Sequence, residues 1–495
     1  MNRGSGILMH IASLPGNYGI GTFGKEAYEF ADFLKKAGQK YWQILPLGQT
    51  SYGDSPYQSF SAFAGNPYFI DFDILAEEGL LSKKDYEEIF WGDNKEKIDY
   101  SLIFTEKMKV LRKAYENGKE KNVDELKAFK QEQSFWLDDY ALYMAIKGTF
   151  ELKSWKEWDD DIKRREPEAV KRYKDQLSDE IEYWCFLQYH FFKQWNKLKK
   201  YVNDQGIEII GDIPIYVAED SADCWANPDA FLFDKKTLDT IRVAGCPPDA
   251  FSDDGQLWGN PIYDWEYLED TNYEWWVSRV RESLKLYDVL RIDHFRGFES
   301  YWSIPAGDDT AKNGKWVKGP ANKLFDTIKK ELGEINVIAE DLGFMTDEVR
   351  EFRKCTGFPG MKVLQFGFGS SDSPDLPHNY EESNCIVYTG THDNETVRGW
   401  LENPVNREAA KYAKKYCSLT KKEGYNWGFI RTVWSSIGKT SIALMQDFLN
   451  LNNEARMNTP STLGGNWQWR MKDDVLTDRL ANRIYHLTKT YGRCK

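Results

Sequence analysis

The sequence predicts an α/β protein built on a (β/α)8 barrel of the TIM type, with a large mainly helical insertion and long active-site loops. Three observations predict it: eight short apolar runs, helical stretches between them, and uneven spacing along the 495 residues. The runs are GILMH (6–10), YWQILPL (41–47), IEIIGDI (207–213), DVLRIDHF (288–295), NVIAEDL (336–342), MKVLQFGF (361–368), CIVYTGTHD (385–393) and SIALMQDF (441–448). Most are too short for helices and are near-continuously apolar, as strands buried on both faces should be. KEAYEFADFLKKAG (25–38) and NKLFDTIKKELG (322–333) carry helical periodicity between them.

The spacing divides the chain. Residues 73–205 are rich in charge and helical periodicity, and predict a mainly helical subdomain inserted into a discontinuous barrel made of 1–72 and 206–495. The stripe Trp184, Leu187, Phe191, Trp195 lies at helical spacing and reads as core. Residues 218–265 are rich in Gly, Pro, Asp and aromatics, and predict a loop-rich insertion over the active site, since loops of this length are usually functional.

Bulk properties exclude several classes. The net charge of -13 makes nucleic acid and anionic membrane poor partners. No apolar stretch is long enough to span a bilayer, and the N-terminus lacks a signal-peptide pattern. The seven cysteines are scattered and odd in number, with no CxxC pair, which points to a reducing cytoplasm. The six histidines are dispersed and form no HExxH motif, so no metal site is expected. Aromatic content is high at 15%. Most of it reads as core; flat rings also cover sugar faces.

Four runs end in acids: Asp212, Asp293, Glu340 with Asp341, and Asp393. Strand C-termini of such barrels carry the active site. Several acids at one mouth supply an acid and a base for sugar chemistry, or hold a magnesium ion. Arg291 lies two residues before Asp293 and shares its side of the strand, where it would keep that carboxylate ionised. His392 adjoins Asp393, and Tyr57 and Trp258 lie in loops within reach of the same mouth. Asp341, adjacent to Glu340, should face away and act structurally.

LRIDHFRGF, VIAEDLG and YTGTHDNET resemble the segments around the catalytic acids of the α-amylase clan of glycoside hydrolases. SYGDSPYQSFSAFAGNPY (51–68), GDIPIYVAEDSADCWANP (211–228) and PPDAFSDDGQLWGNPIYDW (247–265) are closer still to the 4-α-glucanotransferases called amylomaltases or disproportionating enzymes. The resemblance runs from GSGILMHIASLPG to STLGGNWQWR, essentially the whole chain. It implies a retaining transfer of α-1,4-glucan segments, from a maltooligosaccharide, amylose or starch donor to the 4-hydroxyl of an acceptor, with no cofactor and no metal. It also implies Asp293 as nucleophile, Glu340 as acid/base with a pKa raised by the Asp293 and Asp393 anions, and Asp393 as transition-state stabiliser. Tyr57, Asp212, Arg291, His392 and Asn466 are expected on the glucose at the cleavage point, and Trp258 on the acceptor side.

Three other readings stay open on the residues: an α-glucan hydrolase of the same clan, a catalytically inactive glucan-binding protein, and a metal-dependent barrel enzyme. If water outnumbers acceptor about a thousandfold, transfer requires a preference for sugar of roughly 4 kcal/mol. Residues 246–260, with Phe251 and Trp258 as anchors, are expected to supply it as a cover. Tyr52 and Phe60 read as packing ahead of a secondary glucan site.

Overall fold

The computed structural model describes residues 3–50, 53–248, 253–343, 345–462 and 464–494; Tyr52 and Phe251 lie outside them. In chain order its strands are β1 (Gly4–Leu8), β2 (Tyr41–Gln43), β3 (Glu208–Ile213), β4 (Arg242–Cys246), β5 (Gln256–Pro261), β6 (Val289–Ile292), β7 (Ser300–Pro305), β8 (Lys315–Lys318), β9 (Val337–Ala339), β10 (Gly360–Val363), β11 (Cys385–Tyr388) and β12 (Thr440–Leu444).

Eight of them pair in parallel in the order β10-β11-β12-β1-β2-β3-β6-β9. Each falls within or against one of the eight apolar runs. The ends of the sheet meet where the Ala339 N–H donates to the Pro359 carbonyl at 3.0 Å, wrapping it into a barrel. Every residue of β1, β6, β9, β11 and β12 is buried. Helices outside and packed side chains inside leave these strands no wet face, which is why they read as continuous apolar runs.

The segment after β2 is helical. Its longest helix, Ser178–Asp204, has two jobs. Trp184, Leu187, Phe191 and Trp195 are all buried, as the spacing implied. Towards its C-terminus the helix serves the barrel itself: Trp195 packs on Phe23, and Tyr201 Oη donates to Asp32 at 2.7 Å on the barrel helix Lys25–Lys36. Two buried glutamines on this helix pair with loop backbone as a strand would. Gln188 accepts from the Gly65 N–H at 2.8 Å and donates to its carbonyl at 2.9 Å. Gln194 does the same for Asp71, at 2.7 and 3.2 Å. Gly65 has no alternative, because a Cβ there would sit 2.1 Å from the Phe191 ring.

The region 218–265 is more ordered than a loop-rich insertion. β4 and β5 form an antiparallel hairpin that continues through β7 into β8, giving a four-stranded sheet in the order β5-β4-β7-β8. Half of that sheet comes from residues 300–318, beyond the stretch whose composition flagged it. Pairing partners such as Arg242 and Pro305, about 60 residues apart, leave no local signal.

Replacing Gln188 by Leu keeps the volume and strands two buried backbone groups of Gly65. The loss expected in urea denaturation is on the order of 2–3 kcal/mol. An unchanged midpoint would show that the loop finds other partners.

Candidate active site

Register places the acids. Asp212 on β3 lies directly opposite Arg291 on β6, and the β6–β9 pairing runs from Leu290↔Val337 to Ile292↔Ala339. The ladder continues past the strand ends. Asp293 N–H donates to Ile213 O at 2.9 Å and Glu340 N–H to Ile292 O at 3.1 Å. Asp293 and Glu340 are therefore the first residues beyond two neighbouring strands, at the C-terminal mouth.

Arg291 organises this mouth. One terminal nitrogen donates to both oxygens of Asp212 at 2.7 and 2.6 Å, and the other pairs with Asp293 Oδ1 at 2.9 Å. Asp212 also accepts from Tyr57 Oη at 2.8 Å. Its side chain has 0% exposure, so it faces Arg291 and Tyr57 rather than the cleft. Asp293 keeps 31% of its side chain exposed, open to the cleft.

Glu340 is held by two backbone donors. Its Oε2 accepts from the His294 N–H at 2.7 Å and its Oε1 from the Leu342 N–H at 2.8 Å. His294 takes a left-handed backbone conformation (φ 50°) to aim that amide, a conformation uncommon outside glycine. Burial is the first cause that pushes the Glu340 carboxyl up to about 8, and the Asp293 anion is the second. Burial thus leads, the Asp293 anion adds to it as the sequence reading expected, and Asp393 contributes no leading part. Burial also raises Asp293, and Arg291 opposes it. The guanidinium pairs directly with Asp293, so the proton of this carboxyl pair belongs on Glu340.

Asp393 is fixed from outside the barrel. Its Oδ1 accepts from Asn458 Nδ2 at 2.6 Å, and Arg456 donates to its carbonyl at 2.5 Å. Its loop is tied at both ends by one buried carboxylate beyond β12. Asp447 Oδ2 accepts from Thr389 Oγ1 at 2.6 Å and its Oδ1 from the Val397 N–H at 2.7 Å. Asn458, Arg456 and Asp447 escaped the sequence reading. Asp447 had a signal, since the eighth run also ends in an acid; the other two act through long-range contacts. Asp341 turns away as expected, pairing with Arg353 at 3.1 Å and accepting from the Met361 N–H at 2.7 Å.

Above the acids lies a cleft of about 660 Å³, walled by Tyr57, Trp258, Asp293, His392, Asp393 and Asn466 among others. Tyr57 stacks on His392 at 5.1 Å, and Trp467 closes the group at 5.8 Å from both rings. Trp258 stands over the edge of His294 at 4.8 Å. The Asn466 amide is occupied by its own loop, bonding Thr459 N–H and Thr462. Among the described residues, no cluster of three or more His, Cys, Asp or Glu is placed to hold a metal ion.

A parallel barrel with an ion-paired Asp beside a Glu whose carboxyl burial pushes up, at adjacent strand ends under an aromatic cleft, has the makeup of a glycosidic-bond-cleaving enzyme. Comparison with known proteins narrows this. Residues 9–477 match the family model described as 4-alpha-glucanotransferase. The 4-alpha-glucanotransferase of Clostridium butyricum is 64% identical over 488 residues, covering 98% of this chain and 100% of the relative. That of Streptococcus pneumoniae is 55% identical over 497 residues, covering 99% and 97%. The amylomaltase from Streptococcus agalactiae, solved in complex with acarbose, superposes with a TM-score of 0.97 at 48% identity, covering 100% of both chains. The chain belongs to the 4-alpha-glucanotransferase family, and it is a glycosyl-transferring enzyme acting on α-glucans.

Asp447→Ala leaves the Val397 N–H and the Thr389 hydroxyl without their buried acceptor. We expect amide exchange at Val397 to quicken and maltotriose turnover to fall about tenfold, a loss of about 1.4 kcal/mol. In an Asp393→Asn background the same change should cost little further turnover. Equal losses in both backgrounds would show that Asp447 does not act through the Asp393 loop.

Proposed function

We propose that this enzyme moves an α-1,4-glucan segment by double displacement, with Asp293 as nucleophile, Glu340 as acid/base and Asp393 as stabiliser. The observation that carries the reading is Asp293 paired with Arg291 at 2.9 Å beside a buried Glu340 whose carboxyl is pushed up to about 8. Asp293 attacks the anomeric carbon while the Glu340 proton passes to the departing glycosidic oxygen. The outgoing chain leaves, and the segment stays as an ester on Asp293. Glu340, now a carboxylate, takes the proton from the acceptor 4-hydroxyl as that oxygen attacks the anomeric carbon and releases Asp293. Asp393, oriented by Asn458, hydrogen-bonds the sugar hydroxyls more tightly as the ring flattens.

Arg291 and His392 line or support the subsite at the cleavage point, with Tyr57 as its aromatic wall and Asn466 shaping the rim. Trp258 forms the acceptor platform, and the β4–β5 hairpin carries it. Asp254, near that hairpin's tip, pairs with Lys312 at 2.5 Å, tying it towards the β7–β8 connection. The substrates are maltooligosaccharides, amylose and other α-1,4-glucans. The seven cysteines include no disulfide pair, and among the described residues no helix is long and apolar enough to cross a membrane. Together they support work in a reducing, cytoplasmic setting.

Pure maltotriose tests the whole reading. Glucose together with maltotetraose and longer chains, lost in Asp293→Asn, is the expected product pattern; glucose and maltose alone would mean hydrolysis. The free enzyme needs Glu340 protonated, so kcat/KM should fall tenfold per unit as pH rises above about 8. A flat profile to pH 10 would place the acid elsewhere. Trp258→Ala should raise the ratio of free glucose to longer chains several-fold at fixed maltotriose. An unchanged ratio would remove the platform from the account of transfer.

A further inference from the structure

A second cleft, of about 320 Å³, lies where the helix Ser134–Thr149 of the helical segment meets the helices Trp265–Asp270 and Glu274–Leu286. It falls in the usual ~300–1,000 Å³ range of ligand pockets. None of the catalytic acids lines it. Phe63 and Trp275 form its half-buried back wall, their rings 6.2 Å apart edge to face. Phe135, with 51% of its surface exposed, and Tyr267, with 40%, stand at its rim. Phe135 meets Phe63 edge-on at 5.6 Å. Large aromatic rings left half in water around a concavity are a recognition surface more often than leftover packing.

The polar groups in the cleft narrow the ligand. Asp223 is 96% buried yet lines the cavity, and its Oδ2 accepts from the Ala62 N–H at 2.7 Å. Burial lifts its carboxyl to about 6 against the Ala62 amide and the Arg279 charge, so its charge is only partly compensated. Asp139, also in the lining, is paired with Arg165 at 2.6 Å, and Glu274 adds a third acid. Carboxylates without a free guanidinium exclude an anion. Ring faces alternating with hydrogen-bond acceptors fit a neutral polyol, whose C–H faces stack and whose hydroxyls donate.

Position supplies the identity. Ser61 and Phe63, which line this cleft, belong to the same loop that carries Tyr57 into the catalytic cleft, so one loop serves both cavities. We propose that this cleft is a second α-glucan site, in which Phe135, Tyr267 and Trp275 stack sugar rings and Asp223 accepts their hydroxyls. It holds a long chain while the catalytic cleft works on an end or branch, and so raises the local concentration of glucan for polymers alone. The sugar class rests on the glucan-acting reading above; the site itself rests on the cleft.

The test uses Phe135→Ala/Tyr267→Ala, both rim residues whose removal leaves the core intact. Native electrophoresis through amylopectin should show the dissociation constant rising about tenfold. KM for amylose should rise several-fold at constant kcat, with kcat/KM for maltotriose unchanged. Trp275→Phe, which keeps the packing but shrinks the stacking face, should show a smaller effect in the same direction. Amylopectin retardation equal to the parent in both variants would overturn the proposal, as would retardation abolished by spermine, which would mark an amine site. Loss of maltotriose activity in the parent would strike the glucan reading instead, and is scored separately.

Discussion

A single guanidinium, buried at the mouth of the barrel, sets the conditions for the rest. Arg291 is almost wholly enclosed and has two carboxylates to satisfy it, both oxygens of Asp212 on one terminal nitrogen and Asp293 on the other. A charge in that position is tolerable only when paired and hydrogen-bonded, and removing one partner from such a pair costs on the order of 3–5 kcal/mol. Asp212 is the structural counter-ion, sealed by Tyr57; Asp293 is the one that also meets the cleft. The guanidinium therefore fixes one carboxylate as an anion and leaves the proton to its neighbour. Glu340, buried and met by two backbone amides, has its carboxyl pushed up to about 8. In the proposed mechanism, two like residues at adjacent strand ends take opposite roles from their surroundings.

Around this rigid floor, the groups that line the cleft are carried by longer segments tied down at a distance. Asp393 rides a loop whose two ends converge on Asp447 and whose middle is clamped by Arg456 and Asn458. Tyr57 rides a loop pinned by Gln188 at Gly65 and by Asp223 at Ala62. Trp258 sits on an antiparallel sheet that stands apart from the barrel. Hydrogen bonds to buried side chains fix the geometry of the Asp393 and Tyr57 loops beyond what ring packing alone would hold. A site that prefers a sugar hydroxyl to water depends on such positioning, since orientation is the advantage a bound acceptor has.

The helical segment joins this scheme through the glutamines of its last helix and through Phe135. The same helix that packs on the barrel through Trp195 holds the Tyr57 loop through Gln188. Mechanical support for the catalytic cleft and a wall of the second cleft thus come from one set of helices.

The sequence by itself determined the barrel, because strands buried on both faces must be apolar along their length and eight such runs stand in it. It also determined the acids that end them, and Arg291 beside Asp293, since residues two apart on a strand share a side. The aromatic stripe of the long helix was legible for the same reason of periodicity. Only the tertiary structure decided that Asp212 is sealed under Arg291, and that burial more than neighbouring charge raises Glu340. It alone brought Asn458, Arg456 and Asp447 to the Asp393 loop, and residues 300–318 to the sheet that bears Trp258. Periodicity and spacing report what a residue's near neighbours in the chain require. Burial, charge pairing and strand partnership across tens to hundreds of residues are properties of the packed chain, and they carry no local mark.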